Sequence, residues 1–331
     1  MGDAEAPAIL PSETPAHPAL EPSRARLVLA FAAIYVLWGS TYFAIRIGIE
    51  TLPPFVLAGM RHVLAGAILY LVARLRSRER PTRANWNSAL VIGGLLLLGG
   101  NGGVCWSEQI VPSGVAALLV ATVSLWMVIV EWVRPRGTRP TWRVAAGLIL
   151  GFGGLVLLVG PSHLGGGRVN PLGATVLVLA SLSWAIGSVY SKHSRLPHDP
   201  LLGTGMQSLA GGCLLLLLSF VTGEAGHTQW HAVSLHSALA LVYLIVFGSI
   251  IAFTAYTWLL RVATPARVAT YAYINPIVAM FLGWALAAEH ITLRTLLASA
   301  AILAAVILVI TSRQRAVVVP RDSSEALESV S

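Results

Sequence analysis

Trp38, Ser40, Thr41, Arg61, Asn101, Trp184, Gln207, Tyr271, Tyr273 and Asn275 each fall well inside a long apolar run. Polar groups at membrane depth are costly, which makes them the first candidates for function. Together they offer hydrogen-bond donors and acceptors, aromatic faces and one guanidinium. That is chemistry for binding a small organic molecule. It is not a catalytic set. Glu108, Glu131 and Glu289 all lie near the ends of runs, no HExxH motif occurs, and no Ser/His/Asp combination can be assembled at depth. An intramembrane hydrolase is therefore disfavoured, as is a proton-driven carrier built on a central carboxylate. No cofactor or metal is implied.

Arg61 has three roles open to it. It can snorkel to the outer surface, bind a substrate carboxylate or phosphate, or pair with Glu108 or Glu50 as a structural tie. His62 points about 100° away from it around a helix. Pro276 removes a backbone donor, so span 9 is expected to kink beside Asn275 and to gate a ligand site. Ser124 is the candidate gating residue of span 4. Trp38 and Trp184 occupy matching places beside small and hydroxyl residues, which favours a cavity over lipid. His227 and His231 share a loop at a spacing that can hold a metal on a helix; scattered loop histidines are the simpler reading. Cys105 and Cys213 lie inside runs and read as small packing residues.

Runs near 20 residues long must position these groups. They are expected at 27–46, 54–73, 88–107, 112–131, 142–160, 171–191, 201–221, 238–260, 265–286 and 291–311. The chain is 56% hydrophobic and 11% charged, with mean hydropathy +0.75, whereas a soluble domain carries about 25% charged residues. Such runs match a hydrocarbon core of roughly 30 Å. They also fall into two echoing sets of five. Trp38, Gly59, Met60 and Gly66 recur 146 residues later as Trp184, Gly205, Met206 and Gly212; Trp106 recurs as Trp258, and Ala116 as Ala269. Five crossings per copy force the second copy to enter from the opposite face. The expected fold is all-α, with ten transmembrane helices in two inverted five-helix repeats, 27–160 and 171–311. Tails at 1–26 and 312–331 read as polar and disordered.

Charge sets the orientation. Eighteen of the 22 Lys and Arg residues fall in alternate loops or tails, which places both termini in the cytoplasm. With no soluble domain to host it, nucleic-acid binding is excluded. Spans 5 and 10 carry little besides Gly, Ala and aliphatics, so they are expected outside a ring of spans 1–4 and 6–9. Gly147-xxx-Gly151 can serve a weak homodimer, though packing within the chain is the simpler use.

Several stretches resemble the EamA-type permeases of the drug/metabolite transporter superfamily, and most of all their YedA-like bacterial inner-membrane branch. They are Leu37-Trp38-Gly39-Ser40-Thr41-Tyr42-Phe43, Gly59-Met60-Arg61, Val111-Pro112-Ser113-Gly114, and Ala263-Thr264-Pro265-Ala266 leading to Tyr271-Ala272-Tyr273-Ile274-Asn275-Pro276. The resemblance implies an inner-membrane secondary transporter. Such a carrier exports a small organic metabolite, such as an amino acid, by alternating access. Drug efflux or an uptake permease is the alternative; a membrane enzyme is the weaker one. The family usually has Pro in mid-span 4, where Ser124 follows Ala121-Thr122-Val123 here, so that kink is expected to be relaxed.

Overall fold

The computed structural model describes residues 23–111, 116, 119–135, 137–159, 170–278 and 293–311. The expected tails lie outside these apart from 23–26, as do 112–115 of span 4 and 279–286 of span 9. Every regular element among the described residues is a helix. We label them α1 (Arg24–Gly48), α2 (Pro54–Arg76), α3 (Arg83–Ser107), α4 (119–120, then Val123–Val133), α5 (Trp142–Val159), α6 (Pro171–His193), α7 (Pro200–Val221), α8 (Leu235–Val262), α9 (Pro265–Val268, then 271–278) and α10 (Leu293–Thr311). Six of them (α1, α2, α3, α6, α7 and α8) are long and apolar enough to cross a membrane.

The helix starts follow from local chemistry. Proline opens α2, α6, α7 and α9, where its missing N–H costs nothing. Asn170, Asp199 and Thr264 cap the last three by accepting from backbone amides. Thr82 and Asn85 form a reciprocal capping box at α3. Ser23 accepts from Arg26 N, so α1 begins at Arg24, inside the stretch expected to be tail.

The tightest packing joins α2 to α7. A side chain at Gly66 would place its first carbon 2.5 Å from Leu209 N, and one at Gly212 would sit 2.6 Å from Val63 N. The same carbon at Gly205 would lie 2.6 Å from Tyr70 N, and at Gly59 3.0 Å from Leu216 N. Residue numbers rise along one helix as they fall along the other, so the two helices are antiparallel. Each contact made by one copy is returned by the other. Only glycine permits backbones this close. α5 and α10 form a second antiparallel pair, with Gly147 against Val309 and Gly154 against Ile302. Gly147 is thus used within the chain.

Two further features recur. α3 and α8 each contain a nine-residue π-helical stretch, Gly94–Gly102 and Leu244–Ala252. Such stretches arise where a side chain inserts into the hydrogen-bond ladder. Ser183 Oγ donates to Leu95 O at 2.8 Å in the first, and Trp38 Nε1 to Gly248 O at 3.1 Å in the second. α4 and α9 are each interrupted at an Ala-Thr turn, Ala121-Thr122 and Ala269-Thr270. Thr122 Oγ1 donates to Leu119 O and Thr270 Oγ1 to Arg267 O, both at 2.6 Å. The turn therefore matches Ala269 to Ala121 rather than to Ala116.

One expectation needs correcting here: α4 keeps its interruption without a proline. α9 carries a matching break at Ala269-Thr270, ahead of the helical residues 271–278 that include Pro276. The threonine hydroxyl and 3₁₀-type bonds, such as Thr122 N to Leu119 O and Tyr273 N to Thr270 O, make the break.

The packing predicts that Gly66→Ala lowers the melting temperature of the detergent-purified protein by the equivalent of about 1–3 kcal/mol. Gly153, with nothing within 4 Å of an added carbon, is the control. Gly153→Ala should not lower it. Equal melting of the two variants contradicts the close contact.

Candidate cavity between the two copies

One helix face per element builds a central cavity. α1 contributes Trp38, Thr41, Tyr42 and Ile45, a helical stripe at i, i+3, i+4 and i+7. α2 adds Arg61 and His62; α3 Gly100, Asn101 and Val104; α6 Ala180, Ser181 and Trp184; α8 Gly248 and Phe253; and α9 Tyr271 and Asn275. Val120 and Val123 line it at the α4 break. The cavity itself is about 80 Å³, inside a wider space of about 660 Å³ that is partly open to the exterior. It is smaller than a pocket that encloses a whole metabolite, so a solute of that size needs the surrounding helices to part.

The walls are aromatic and drawn from both copies. Trp38 packs at 5.6 Å on Trp184, at 4.9 Å on Tyr256 and at 4.9 Å on Tyr271. Trp184 Nε1 donates to Tyr256 Oη at 2.7 Å, and Ser188 Oγ shares a hydrogen bond with the same oxygen. The indole N–H of Trp184 and the hydroxyl of Tyr256 are thus satisfied by protein, and Trp38, Trp184 and Tyr271 line the cavity.

Arg61 lies 4% exposed. Its Nε donates to Ser249 Oγ at 2.7 Å, and Nη1 has no partner. Asn275 turns its NH2 toward the carbonyls of Ile34, Tyr35 and Tyr271 at 3.0–3.3 Å, the orientation those acceptors require. It therefore ties α9 to α1 at the cavity wall. At the breaks the carbonyls keep only i→i+3 local bonds, Thr122 N to Leu119 O and Ala272 N to Ala269 O, and hydroxyls from neighbouring helices add to them. Ser124 Oγ donates to Ala269 O at 2.8 Å, and Ser181 Oγ reaches Leu119 O at 3.3 Å.

The structure brings Trp38, Thr41, Arg61, Asn101, Trp184, Tyr271 and Asn275 together and leaves three expected residues outside. Ser40 faces α8, sharing a 2.6 Å hydrogen bond with Tyr243 Oη. Tyr273 stands two residues, roughly 200° of helix, from Tyr271 and stacks over Gly151 of α5. Gln207, the repeat mate of Arg61, does not line the cavity; it is buried, with its backbone carbonyl against Gly93 of α3. Among the described residues, none of those lining the cavity comes from α5, α7 or α10, so the expected ring loses span 7. Pro276 and Ser124 are not at the cavity surface either. Tyr42, Ile45, Ala180 and Val104 were not anticipated. Projecting three, four and seven residues from Trp38, Trp184 and Asn101 would have found them.

Outside the spans, a latch joins the α2–α3 loop to the α6–α7 loop. Glu79 accepts from His198 N at 2.9 Å and Asp199 N at 3.0 Å, and Arg261 donates to His198 O. Burial pushes the Glu79 carboxyl up, but those amides, His198 and Arg261 hold it below its usual value. Just beyond α3, Glu108 is buried with neither oxygen partnered. Burial pushes its carboxyl up to about 8, with Arg46 pulling the other way. His227 Nδ1 lies 2.7 Å from Gly223 O, within its own turn, which Gly223 opens at φ 81°.

The geometry has counterparts. The family model described as the EamA-like transporter family matches residues 25–160 and 171–311. The chain is 41% identical over 281 residues to the "uncharacterized inner membrane transporter YedA" of Escherichia coli K12, covering 85% of this chain and 89% of that one. It is 26% identical to the "uncharacterized transporter YvbV" of Bacillus subtilis, covering 88% and 91%. A protein of known crystal structure shares the fold, with TM-score 0.71 at 20% identity, over 86% of this chain and 96% of that chain.

Glu108 yields a pH prediction. A carboxyl whose pKa rises on folding favours the folded state while protonated. From about 4.5 to about 8 the unfolded chain ionises first, so this contribution to stability falls as pH rises and levels off above. Melting curves of the wild type and Glu108→Gln between pH 5 and 8.5 should diverge, the variant gaining relative stability as pH rises. Parallel curves contradict it.

Proposed function

The chain belongs to the EamA-like transporter family, and on that premise we propose that it is a secondary transporter of the bacterial inner membrane that moves a small organic metabolite outward by alternating access. The observation that carries this reading is the cavity itself, walled by aromatic rings from both copies and floored by polar groups at mid-helix. Amino acids are the first class to test. The antiparallel, reciprocal contacts of α2 and α7 support inverted repeats, because an axis exchanging two antiparallel helices is perpendicular to both. The alternation of Lys and Arg along the chain supports ten crossings with both termini cytoplasmic. The paired breaks of α4 and α9 sit where halves of a carrier would hinge. The cavity lining among the described residues comes from one chain, which supports a monomer or a weak homodimer as the working unit. A permease for drug-like compounds, in either direction, is the second reading, favoured by the aromatic walls.

The test is counterflow in proteoliposomes. A carrier loaded inside with unlabelled substrate drives transient uptake of label above equilibrium, and a pore does not. Trp38→Ala should lower that uptake roughly tenfold, the effect of about 1.4 kcal/mol lost in substrate binding. Asn275→Ala should lower it as well by releasing α9 from α1. Wild-type uptake in both variants would refute the cavity as the transport site.

A further inference from the structure

We propose that Arg61 receives a single carboxylate of the transported solute, so that the substrate class is a monoanionic organic acid with an apolar body. This rests on the transporter reading and narrows it. Two of the roles open to Arg61 are removed by its surroundings. It does not snorkel, because its side chain is buried within the helix bundle. It does not pair with Glu108, whose oxygens have no partner. Glu50 is exposed, and the ion pair among the described residues is Arg134 with Glu131.

What remains is a guanidinium built into the cavity wall. It lies across Gly248, where an added carbon would sit 2.9 Å from Nη2, so the glycine makes its place. Ser249 holds Nε and leaves Nη1 unpartnered. No Asp or Glu lines the cavity among the described residues. A buried cation without a counter-charge is strongly unfavourable, and a ligand anion entering the cavity removes that penalty. One guanidinium balances one negative charge. A carboxylate satisfies it, whereas a phosphate monoester near −2 would leave charge over. Trp38, Trp184, Tyr271 and Phe253 then cover the apolar body. Organic cations lacking an acid meet an unopposed positive charge.

The probes are 3-phenylpropionate, phenylalanine, 3-phenylpropionamide, phenethylamine and phenyl phosphate. The readouts are tryptophan fluorescence and thermal shift of the purified protein, with counterflow in parallel. The acid should bind at least tenfold more tightly than the amide, the amine or the phosphate, and more tightly than phenylalanine, whose ammonium meets no acidic side chain among the lining residues. Arg61→Gln should abolish that preference, and Arg61→Lys should retain part of it. If Arg61→Gln does not fold, the acid-against-amide comparison on the wild type decides alone. An amide or amine that binds as well as the acid, or no preference for the acid across the panel, overturns the proposal. Counterflow of the amide with no acid preference would sink the inference and leave the transporter reading standing. Acid binding without counterflow would do the reverse.

Discussion

The approach of α2 to α7 through bare backbone constrains everything else in this fold. Gly59, Gly66, Gly205 and Gly212 let the two helices meet with main chain against main chain. Such contact gains dispersion energy without relying on a hydrophobic difference that lipid would not supply. Because the contacts are reciprocal, they also set the relation between the copies. Once α2 and α7 are clasped, Arg61 is presented to α8, its repeat mate Gln207 to α3, and the aromatic residues of α1 and α6 converge from opposite sides.

A second constraint acts on the backbone away from that seam. In hydrocarbon, each broken helix must find partners for the groups it frees. Here hydroxyls supply them across helices: Ser124 to Ala269, Ser181 to Leu119, and Ser183 to Leu95. The indole of Trp38 does the same for Gly248. The interruptions are therefore stable and also local. The freed groups and the aromatic faces occur at the same depth, which gives the cavity both polarity and shape.

Much of this was legible in the sequence. Six long apolar helices, the two copies and the meeting of Trp38 with Trp184 followed from apolar length, internal recurrence and the cost of polarity at depth. The face of each helix was harder to read. Tyr273 looked equivalent to Tyr271, yet a helix carries residues two apart to opposite sides, and only the position of α5 decides which side is the cavity. Gln207 matched Arg61 by number but lies in the seam with α3 rather than at the cavity. The proline rule pointed at Pro276 and not at the break at Ala269-Thr270, which comes from a threonine hydroxyl competing for the backbone, a signal shared by Thr122 and Thr270 that recurrence at a fixed interval concealed.

The central claim is that one cavity, shared by the two copies, is exposed to each side of the membrane in turn. A single cysteine at Ala180, with Cys105 and Cys213 both replaced, tests it most directly. An impermeant maleimide would be applied to right-side-out and to inside-out vesicles. Labelling from both faces, slowed by a transported solute on either, is the result this account predicts. Labelling from one face only, whatever solute is present, would contradict it.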